Sequence, residues 1–319
     1  MEVSVVVCTY AMERYDVFSE CVESVLSQTY EPIETVLIVD GNQDVFNRVE
    51  TDFGDRSNVQ VHCNDGNLGI SYSRTRGAEL ASGDVVAFID DDAVAEPDWI
   101  EELVAVYEET DAIAVGGHVA ADWVSEKPDF FPAEFYWLVG CDERGFGEHM
   151  EELRNTYGSN ISFRRDVFLS VGGYDENTGR QGDRHIQAHE APVCIRMANQ
   201  YGRGVIYTTD AVVHHKLFDY RGDFRWLVRR SFWQGYSKRI MDLLLPEAKG
   251  DKGDYLQRLL FRFVPQRFAS LLSRPSTAKV KQLISIFVFT AAVGFGYVYG
   301  LLTINRSDLT DETDATDAT

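Results

Sequence analysis

Residues 67–92 decide the fold of this chain, and they read NLGISYSRTRGAELASGDVVAFIDDD. The pattern predicts a helix over residues 71–80 that ends before Gly83, where glycine can adopt the left-handed conformation that closes many helices. Residues 85–89 then form a short apolar run with the length and β-branched content of a buried parallel strand. The stretch therefore predicts one helix followed directly by one central strand.

Three aspartates, Asp90, Asp91 and Asp92, follow this strand directly. Ligands of open α/β sheets bind outside the carboxyl ends of the strands, so the three carboxylates stand where chemistry is expected. Adjacent carboxylates repel one another unless a cation or hydrogen-bond donors compensate. Oxygen ligands of this kind suit Mg²⁺ or Mn²⁺, which also bind substrate phosphates. The run predicts a site for Mn²⁺ or Mg²⁺, and the alternative is a solvated acidic turn.

Strands and helices alternate on both sides of this stretch. The pattern predicts further strands at residues 3–7, 35–39, 59–63, 112–115 and 205–208, and helices at about residues 15–28 and 97–107. Such alternation, with polar residues at the strand ends, is typical of a doubly wound, mostly parallel sheet with helices on both faces. The predicted fold class is therefore α/β.

Residues 67–92 resemble the nucleotide-sugar-binding core of family-2 glycosyltransferases, which are inverting enzymes of the GT-A fold. That core has Asn, Gly, an Ala-Arg-Asn-like triplet and Gly before a strand that ends in Asp-x-Asp, and Thr75 replaces the usual Asn. Residues 158–175 resemble the second half of the family, with GSNISFRR and then GGYD. The resemblance implies a GT-A catalytic domain over residues 1–220. Its nucleotide-binding half is expected at residues 1–115 and its acceptor-binding half at residues 116–220.

The resemblance also implies roles for individual residues. It assigns nucleotide-sugar binding to Thr9, Tyr10, Asp40, Arg74, Asp90 and Asp91. Asp40 is expected to hydrogen-bond the base, although Asp40-Gly41 also fits an ordinary turn. Asp92 and His215 are expected to hold the metal, and a histidine ligand mildly favours Mn²⁺. The alternative for His215 is a histidine that simply ends a strand.

The catalytic base is expected just before a helix, where the family usually has Glu-Asp. In this chain His189-Glu190 precedes Cys194 and Arg196, and that register places Glu190 on the family's Asp. Glu190 is therefore the predicted base, although a glutamate before a helix is commonly a partner of the helix dipole. The Gly-rich segment before it is expected to contact the diphosphate or the acceptor through Arg180, Arg184 and His189.

The formal net charge of −21 is distributed unevenly. Residues 1–220 hold 15 Lys and Arg against 41 Asp and Glu, whereas residues 221–282 hold 14 against 5. An acidic chain with only 7 lysines resembles proteins of salt-loving archaea. Residues 221–282 read as aromatic, Arg-rich amphipathic helices, which suit a membrane interface. The acidic remainder argues against nucleic acid as a partner.

Residues 283–304 contain no charged side chain. Twenty-two residues at 1.5 Å each can cross a hydrocarbon core of about 30 Å, and the alternative is a buried core helix. Basic residues precede the segment and acidic residues follow, so we expect a single-pass protein of the cell membrane with a cytoplasmic catalytic domain. The stripe of Ala292, Gly296 and Gly300 suggests a homo-oligomer through this helix. Residues 305–319 are expected to form an acidic disordered tail.

Together these features predict a metal-dependent inverting glycosyltransferase. The chain resembles haloarchaeal transferases that build dolichol-phosphate-linked glycans for N-glycosylation. The resemblance implies a UDP-sugar donor, with a hexuronic acid such as glucuronate as the transferred sugar, and a dolichyl- or polyprenyl-phosphate-linked acceptor in contact with membrane lipids. Arg164, Arg165 and Arg180 are available to bind a uronate carboxylate. One alternative is an exopolysaccharide or cell-surface glycan transferase or synthase, and another is a non-catalytic GT-A-fold membrane scaffold.

Overall fold

The computed structural model of this protein describes residues 1–144, 146–175, 190–244 and 254–304. The described strands are β1 (Val3–Thr9), β2 (Ile33–Val39), β3 (Val59–Cys63), β4 (Val85–Asp90), β5 (Ala93–Ala95), β6 (Ala114–Trp123), β7 (Glu151–Leu153), β8 (Ile161–Arg164) and β9 (Val205–Leu217). The described α-helices are α1 (Tyr15–Leu26), α2 (Gln43–Phe53), α3 (Ile70–Leu80), α4 (Trp99–Glu109), α5 (Arg165–Ser170), α6 (Glu190–Tyr201), α7 (Phe224–Leu244), α8 (Asp254–Arg258), α9 (Val264–Ser273) and α10 (Thr277–Thr303).

The nine described strands form one mixed sheet in the order β3-β2-β1-β4-β8-β6-β9-β5, with β7 paired to β9. The strands β3, β2, β1 and β4 are parallel to their neighbours. Beyond β4 the direction reverses, since β8 is antiparallel to both β4 and β6, and β9 is antiparallel to both β5 and β7. The predicted α/β class is thus confirmed, but the described sheet is mixed where a mostly parallel one was expected, because its parallel pairs lie in the amino-terminal half alone.

A continuous apolar core holds the carboxyl end of β4 in place. Every residue of β1 is buried, as expected for a central strand that is covered on both faces. On one side of the sheet the rings of Phe88, Phe163, Phe168 and Tyr174 pack against one another, with centroids 5.1–6.3 Å apart. This packing joins β4 to α5 and to the turn at Tyr174, and it fixes the position of the aspartates that follow β4.

The described residues fall into two units, and each is described here by itself. The first contains residues 1–122, 140–144, 146–175 and 190–216. The second contains residues 123–139, 217–244 and 254–304. The domain boundaries expected from the sequence stay predictions.

The second unit is built around the pair of helices α7 and α10. A Cβ atom at Gly296 would overlap the carbonyl oxygen of Phe232, and one at Gly235 would overlap that of Val293. The two backbones therefore touch at positions that only glycine allows, which is the packing that small residues permit between helices. Gly300 of α10 also faces α7, where it lies against the side chain of Arg239. The predicted stripe on α10 thus contacts α7 of the same chain, and an oligomer through α10 would need another face.

Aromatic and charged side chains complete the core of the second unit. Phe289 of α10 is fully buried among the rings of Phe131, Phe135 and Phe224. The carboxylate of Glu134 is also fully buried, and it accepts hydrogen bonds from Arg267, with 2.7 Å between Oε2 and Nη2. A buried carboxylate needs such a partner. Phe131 and Phe135 therefore serve packing.

The helix α10 has the length and composition to cross a membrane, and it is the one such helix in the described part of the chain. Its 27 residues would extend about 40 Å at 1.5 Å per residue. One face carries exposed apolar side chains, including Phe287, Phe295 and Leu302. The helix is therefore compatible with a membrane anchor.

Candidate active site

The carboxylate cluster, Asp90, Asp91 and Asp92, lies at the carboxyl end of β4. Asp90 is the last residue of that strand, and Asp91 and Asp92 form the turn into β5. Because β1 runs parallel beside β4, the end of β1 reaches the same edge, and Thr9 Oγ1 donates to Asp91 Oδ2 at 3.4 Å. Asp92 is 3% exposed, so its charge needs a partner in the fold.

His215 brings an imidazole to the carboxylate cluster. The strand β9 runs antiparallel to β5 with His215 opposite Ala93, and His215 Nε2 lies 3.2 Å from Asp92 Oδ1. One ligand atom from each of Asp90, Asp92 and His215 lies within 4.8 Å of the other two. Two carboxylates and one imidazole fit Mn²⁺, and the carboxylates also fit Mg²⁺. The described residues therefore contain a donor set suited to a divalent cation.

Arg74 lies behind the carboxylate cluster on α3. The side chain is 5% exposed, and Nη2 donates to Asp90 Oδ1 at 2.5 Å and to the Gly158 carbonyl at 3.1 Å. The guanidinium also lies 5.4 Å from the ring centre of Tyr174. Burial lowers the pKa of Arg74, but Asp90, Tyr174 and Glu190 outweigh it and raise the pKa overall. Arg74 therefore stays a cation although it is buried.

Glu190 is the first residue of α6, and Arg74 connects it to the carboxylate cluster. Glu190 Oε1 accepts a hydrogen bond from Gly158 N at 3.0 Å and lies 3.8 Å from Arg74 Nη1. The Glu190 side chain is 20% exposed, so it is held in place and still accessible. The structure therefore brings the predicted base next to the arginine that binds Asp90.

Asp40, Thr9 and Tyr10 lie in the first unit with different exposures. Thr9 is buried, and Tyr10 is 52% exposed. Asp40 is buried, and its carboxylate accepts hydrogen bonds from Asn64 Nδ2 at 2.9 Å, Leu68 N at 2.9 Å and Gly69 N at 2.8 Å. In the structure Asp40 thus holds the turn that precedes α3, and its contact with a nucleotide base stays a prediction.

Arg14 is a site residue that the sequence reading missed. Arg14 Nη2 lies 2.8 Å from Asp91 Oδ1 and 2.9 Å from Asp92 Oδ2. Burial raises the pKa of Asp91 to about 7, while Arg14 opposes the shift and Asp92 and Asp90 add to it. One signal was available, since Arg14 is the only Lys or Arg within residues 1–47 and it follows a strand that ends at the site.

Cys141 is a second residue that the sequence reading did not place at the site. Its Sγ lies 3.9 Å from His215 Nδ1, on the side of the ring away from Asp92. The thiol is fully buried, and the preceding Gly140 has φ +83°, a conformation that favours glycine. Cys141 had no motif to mark it, and only the fold shows its position.

The remaining residues predicted for the site either lie outside the described part of the chain or bind backbone carbonyls. Three predicted residues lie outside the described part of the chain: Arg180, Arg184 and His189. Arg164 Nε donates to the carbonyl of Ala112, and Arg165 donates to the carbonyls of Ala78 and Glu79. The two arginines thus bind the backbone of the fold, and the structure gives no contact between them and the carboxylate cluster.

The glycosyl transferase family 2 model matches residues 4–172 of this chain. A glucosyl-dolichyl phosphate glucuronosyltransferase of Haloferax volcanii is 69% identical over 312 residues, which cover 98% of this chain and 100% of that protein. The glycosyltransferase AglE of the same organism is 27% identical over 191 residues, covering 57% of this chain and 59% of that protein.

Among solved structures, a mannosyltransferase from Pyrobaculum calidifontis in complex with GDP-mannose and Mn²⁺ aligns with a TM-score of 0.54. It is 16% identical, and the alignment covers 92% of this chain and 87% of that chain. TarS of S. aureus aligns with a TM-score of 0.53 at 14% identity, covering 91% of this chain and 55% of that chain. These likenesses agree with the GT-A architecture. On the match to the family model and the full-length relative, the chain belongs to glycosyl transferase family 2.

Proposed function

We propose that this protein transfers glucuronate from UDP-glucuronate to a glucosyl-dolichyl phosphate, as one step in assembling a lipid-linked glycan for N-glycosylation. The observation that carries the proposal is the contact of Arg74 with both Asp90 and Glu190, which unites a cation-binding cluster and a candidate base in one site. The choice of sugar and acceptor is supported by the 69% identity to the Haloferax glucuronosyltransferase over nearly the whole chain.

The donor binds at the carboxyl ends of β1 and β4 in this proposal. Asp92 and His215 would hold Mn²⁺ or Mg²⁺ with Asp90 beside them, and the bound ion would supply positive charge to the diphosphate leaving group. Nucleotide binding is assigned to Thr9, Tyr10, Asp40, Arg74, Asp90 and Asp91. The acceptor or diphosphate contacts are assigned to Arg180, Arg184 and His189.

Glu190 acts as the base in this proposal. Its carboxylate takes the proton of an acceptor hydroxyl while the hydroxyl oxygen attacks the anomeric carbon of the donor sugar. The new bond forms between that oxygen and the anomeric carbon, and the bond between the anomeric carbon and the diphosphate oxygen breaks. UDP leaves with the electron pair of the broken bond. A single displacement inverts the configuration and needs no covalent intermediate on the protein.

The acceptor lipid explains why the chain has an apolar helix. We assign α10 to a single crossing of the cell membrane, with the first unit on the cytoplasmic side. Arg274 before α10, and Lys279 and Lys281 at its amino-terminal end, support this orientation. The exposed apolar face of the helix would contact lipid, which brings the chain to the same membrane as a dolichyl-phosphate-linked acceptor.

The test uses the full-length protein in detergent with glucosyl-dolichyl phosphate and Mn²⁺. We expect transfer from UDP-[¹⁴C]glucuronate and little from UDP-glucose or GDP-mannose. Glu190→Gln should lower kcat by about 10²-fold or more and keep UDP binding, whereas Glu79→Gln on the surface of α3 serves as the matched control. Efficient transfer of another sugar, or unchanged kcat in Glu190→Gln, would overturn the proposal.

A further inference from the structure

Arg14 stands at the edge of the carboxylate cluster, and nothing in the proposed mechanism uses it. It ends the 3-10 helix Met12–Arg14, directly before α1. The side chain of Arg14 is 33% exposed, whereas those of Asp91 and Asp92 are 12% and 4% exposed. Arg14 is therefore the most exposed member of this ion-paired group, although its Nε and Nη2 atoms are themselves buried.

The two oxygens of Asp92 have different partners. Oδ1 lies 3.2 Å from His215 Nε2, on the side where Asp90, Asp92 and His215 can share a cation. Oδ2 lies 2.9 Å from Arg14 Nη2. A divalent ion and the Arg14 guanidinium would thus bind the same small carboxylate from two sides. Like charges this close repel strongly at a buried site, where solvent screens little.

The formal charges of the site balance once a divalent cation is present. Four carboxylates, those of the cluster and of Glu190, face two guanidinium groups, those of Arg14 and Arg74. A divalent cation at Asp92 would therefore leave the site formally neutral, but it would concentrate positive charge beside Arg14. A diphosphate would offset that local positive charge, and Arg guanidinium groups bind phosphate oxygens well. The cation and the diphosphate are therefore expected to bind more favourably together than separately.

We propose that Arg14 couples the metal to the donor. It disfavours a divalent cation at Asp92 in the nucleotide-free protein, and it binds the donor diphosphate once the cation is present. Arg14 thereby makes metal affinity depend on the nucleotide and selects for a donor that carries a diphosphate. This inference rests on the proposed donor site, so its test measures binding rather than turnover.

The test is a thermodynamic cycle on the full-length protein in detergent. Free Mn²⁺ is followed by electron paramagnetic resonance in titrations without nucleotide, with saturating UDP and with uridine. UDP should tighten Mn²⁺ binding in the wild type, and uridine, which has no phosphate, should not. In Arg14→Gln we expect tighter Mn²⁺ binding without nucleotide. The coupling factor, which is the Mn²⁺ Kd without UDP divided by the Kd with UDP, should be lower by about tenfold. Arg14→Lys, which keeps the charge, should retain most of the coupling.

Arg56→Gln provides the matched control, because it removes an arginine of the same unit that pairs with Glu23 instead. That variant should leave Mn²⁺ affinity and coupling unchanged. Coupling that stays at the wild-type value in Arg14→Gln, or weaker Mn²⁺ binding without nucleotide, would overturn the role of Arg14 alone. Failure of the wild type to bind Mn²⁺ even with UDP would instead contradict the proposed donor site and this inference with it.

Discussion

Replacing Gly158 with alanine tests the link between the base and the carboxylate cluster. Gly158 N donates to Glu190 Oε1 at 3.0 Å, and the Gly158 carbonyl accepts from Arg74 Nη2 at 3.1 Å. A Cβ at this position would lie 2.5 Å from Arg74 Nη1 and 2.9 Å from Arg74 Nη2, and closer still to Glu190 Oε1. These separations are shorter than real contacts of a Cβ atom, so a neighbour has to move.

Both Glu190 and Arg74 lie too close to this Cβ, and Glu190 is expected to move furthest. Arg74 is buried and held by Asp90, whereas the Glu190 carboxylate is the end of a flexible and partly exposed side chain. Restoring an ordinary contact requires a displacement of about 1 Å, and an error of that size at a reacting group costs about 10²-fold in rate. We therefore expect kcat of Gly158→Ala to fall by about 10²-fold, which equals about 2.7 kcal/mol of barrier.

The assay compares kcat for glucuronate transfer with the Kd for UDP measured by calorimetry. We expect the Kd of Gly158→Ala to rise far less than kcat falls, because Glu190 does not bind the nucleotide and Arg74, which is assigned to that role, is held by Asp90. Gly294→Ala is the control, since a Cβ there has no atom within 4 Å. A folded Gly158→Ala protein with wild-type kcat would refute the reasoning, because Glu190 would then not depend on this contact.

Three further predictions concern stability. The pKa of Asp91 is raised from 3.8 to about 7 in the fold, so the wild type loses stability as pH rises through this window. Metal-free Asp91→Asn, which cannot ionise, should therefore have a higher Tm than the wild type at pH 8 but not at pH 3.5. Asp40→Ala should lower the free energy of unfolding by about 2–3 kcal/mol in urea titrations, because Leu68 N, Gly69 N and Asn64 lose their acceptor. Gly296→Val should destabilise the protein by about 3 kcal/mol in thermal unfolding, because its Cβ would overlap Phe232, whereas the Cβ of Gly294→Val has no atom within 4 Å. Equal Tm values of Asp91→Asn and the wild type at pH 8 would contradict the first prediction. Wild-type stability of Asp40→Ala in urea would contradict the second, and equal losses for Gly296→Val and Gly294→Val would contradict the third.

Local patterns were enough to predict the strands β1 to β4 and the helix α3 that lead to the carboxylate cluster, whereas α2 and β5 were not predicted. Residues 85–89 form a buried strand because all five side chains are apolar and are removed from water there. Asp90 ends that strand as the pattern predicts. The antiparallel pairing of β8 was not predictable in the same way, because a strand of four residues carries no sign of its direction. The length of an apolar run indicates whether it forms a strand. Which strands pair with it, and in which direction, depends on the whole chain.

The contacts that complete the site are long-range, and for that reason the sequence reading missed several of them. Arg14 reaches Asp92 because β1 and β4 are adjacent in the sheet, and no local spacing indicates that contact. The donors to Asp40 come from a turn that follows the next strand, so its carboxylate serves the fold as well as any ligand. The small residues of α10 indicated a helix partner correctly, but only the structure identifies α7 of the same chain as a partner.

The central claim is that His215 and Asp92 hold the cation that binds the donor diphosphate. Pulsed electron paramagnetic resonance of the protein with Mn²⁺ and UDP tests it most directly, because coupling to ¹⁴N reports a histidine ligand and coupling to ³¹P reports the diphosphate. We predict both couplings in the wild type and loss of the ¹⁴N coupling in His215→Gln. Absence of ¹⁴N coupling in the wild type, or its persistence in His215→Gln, would contradict the claim.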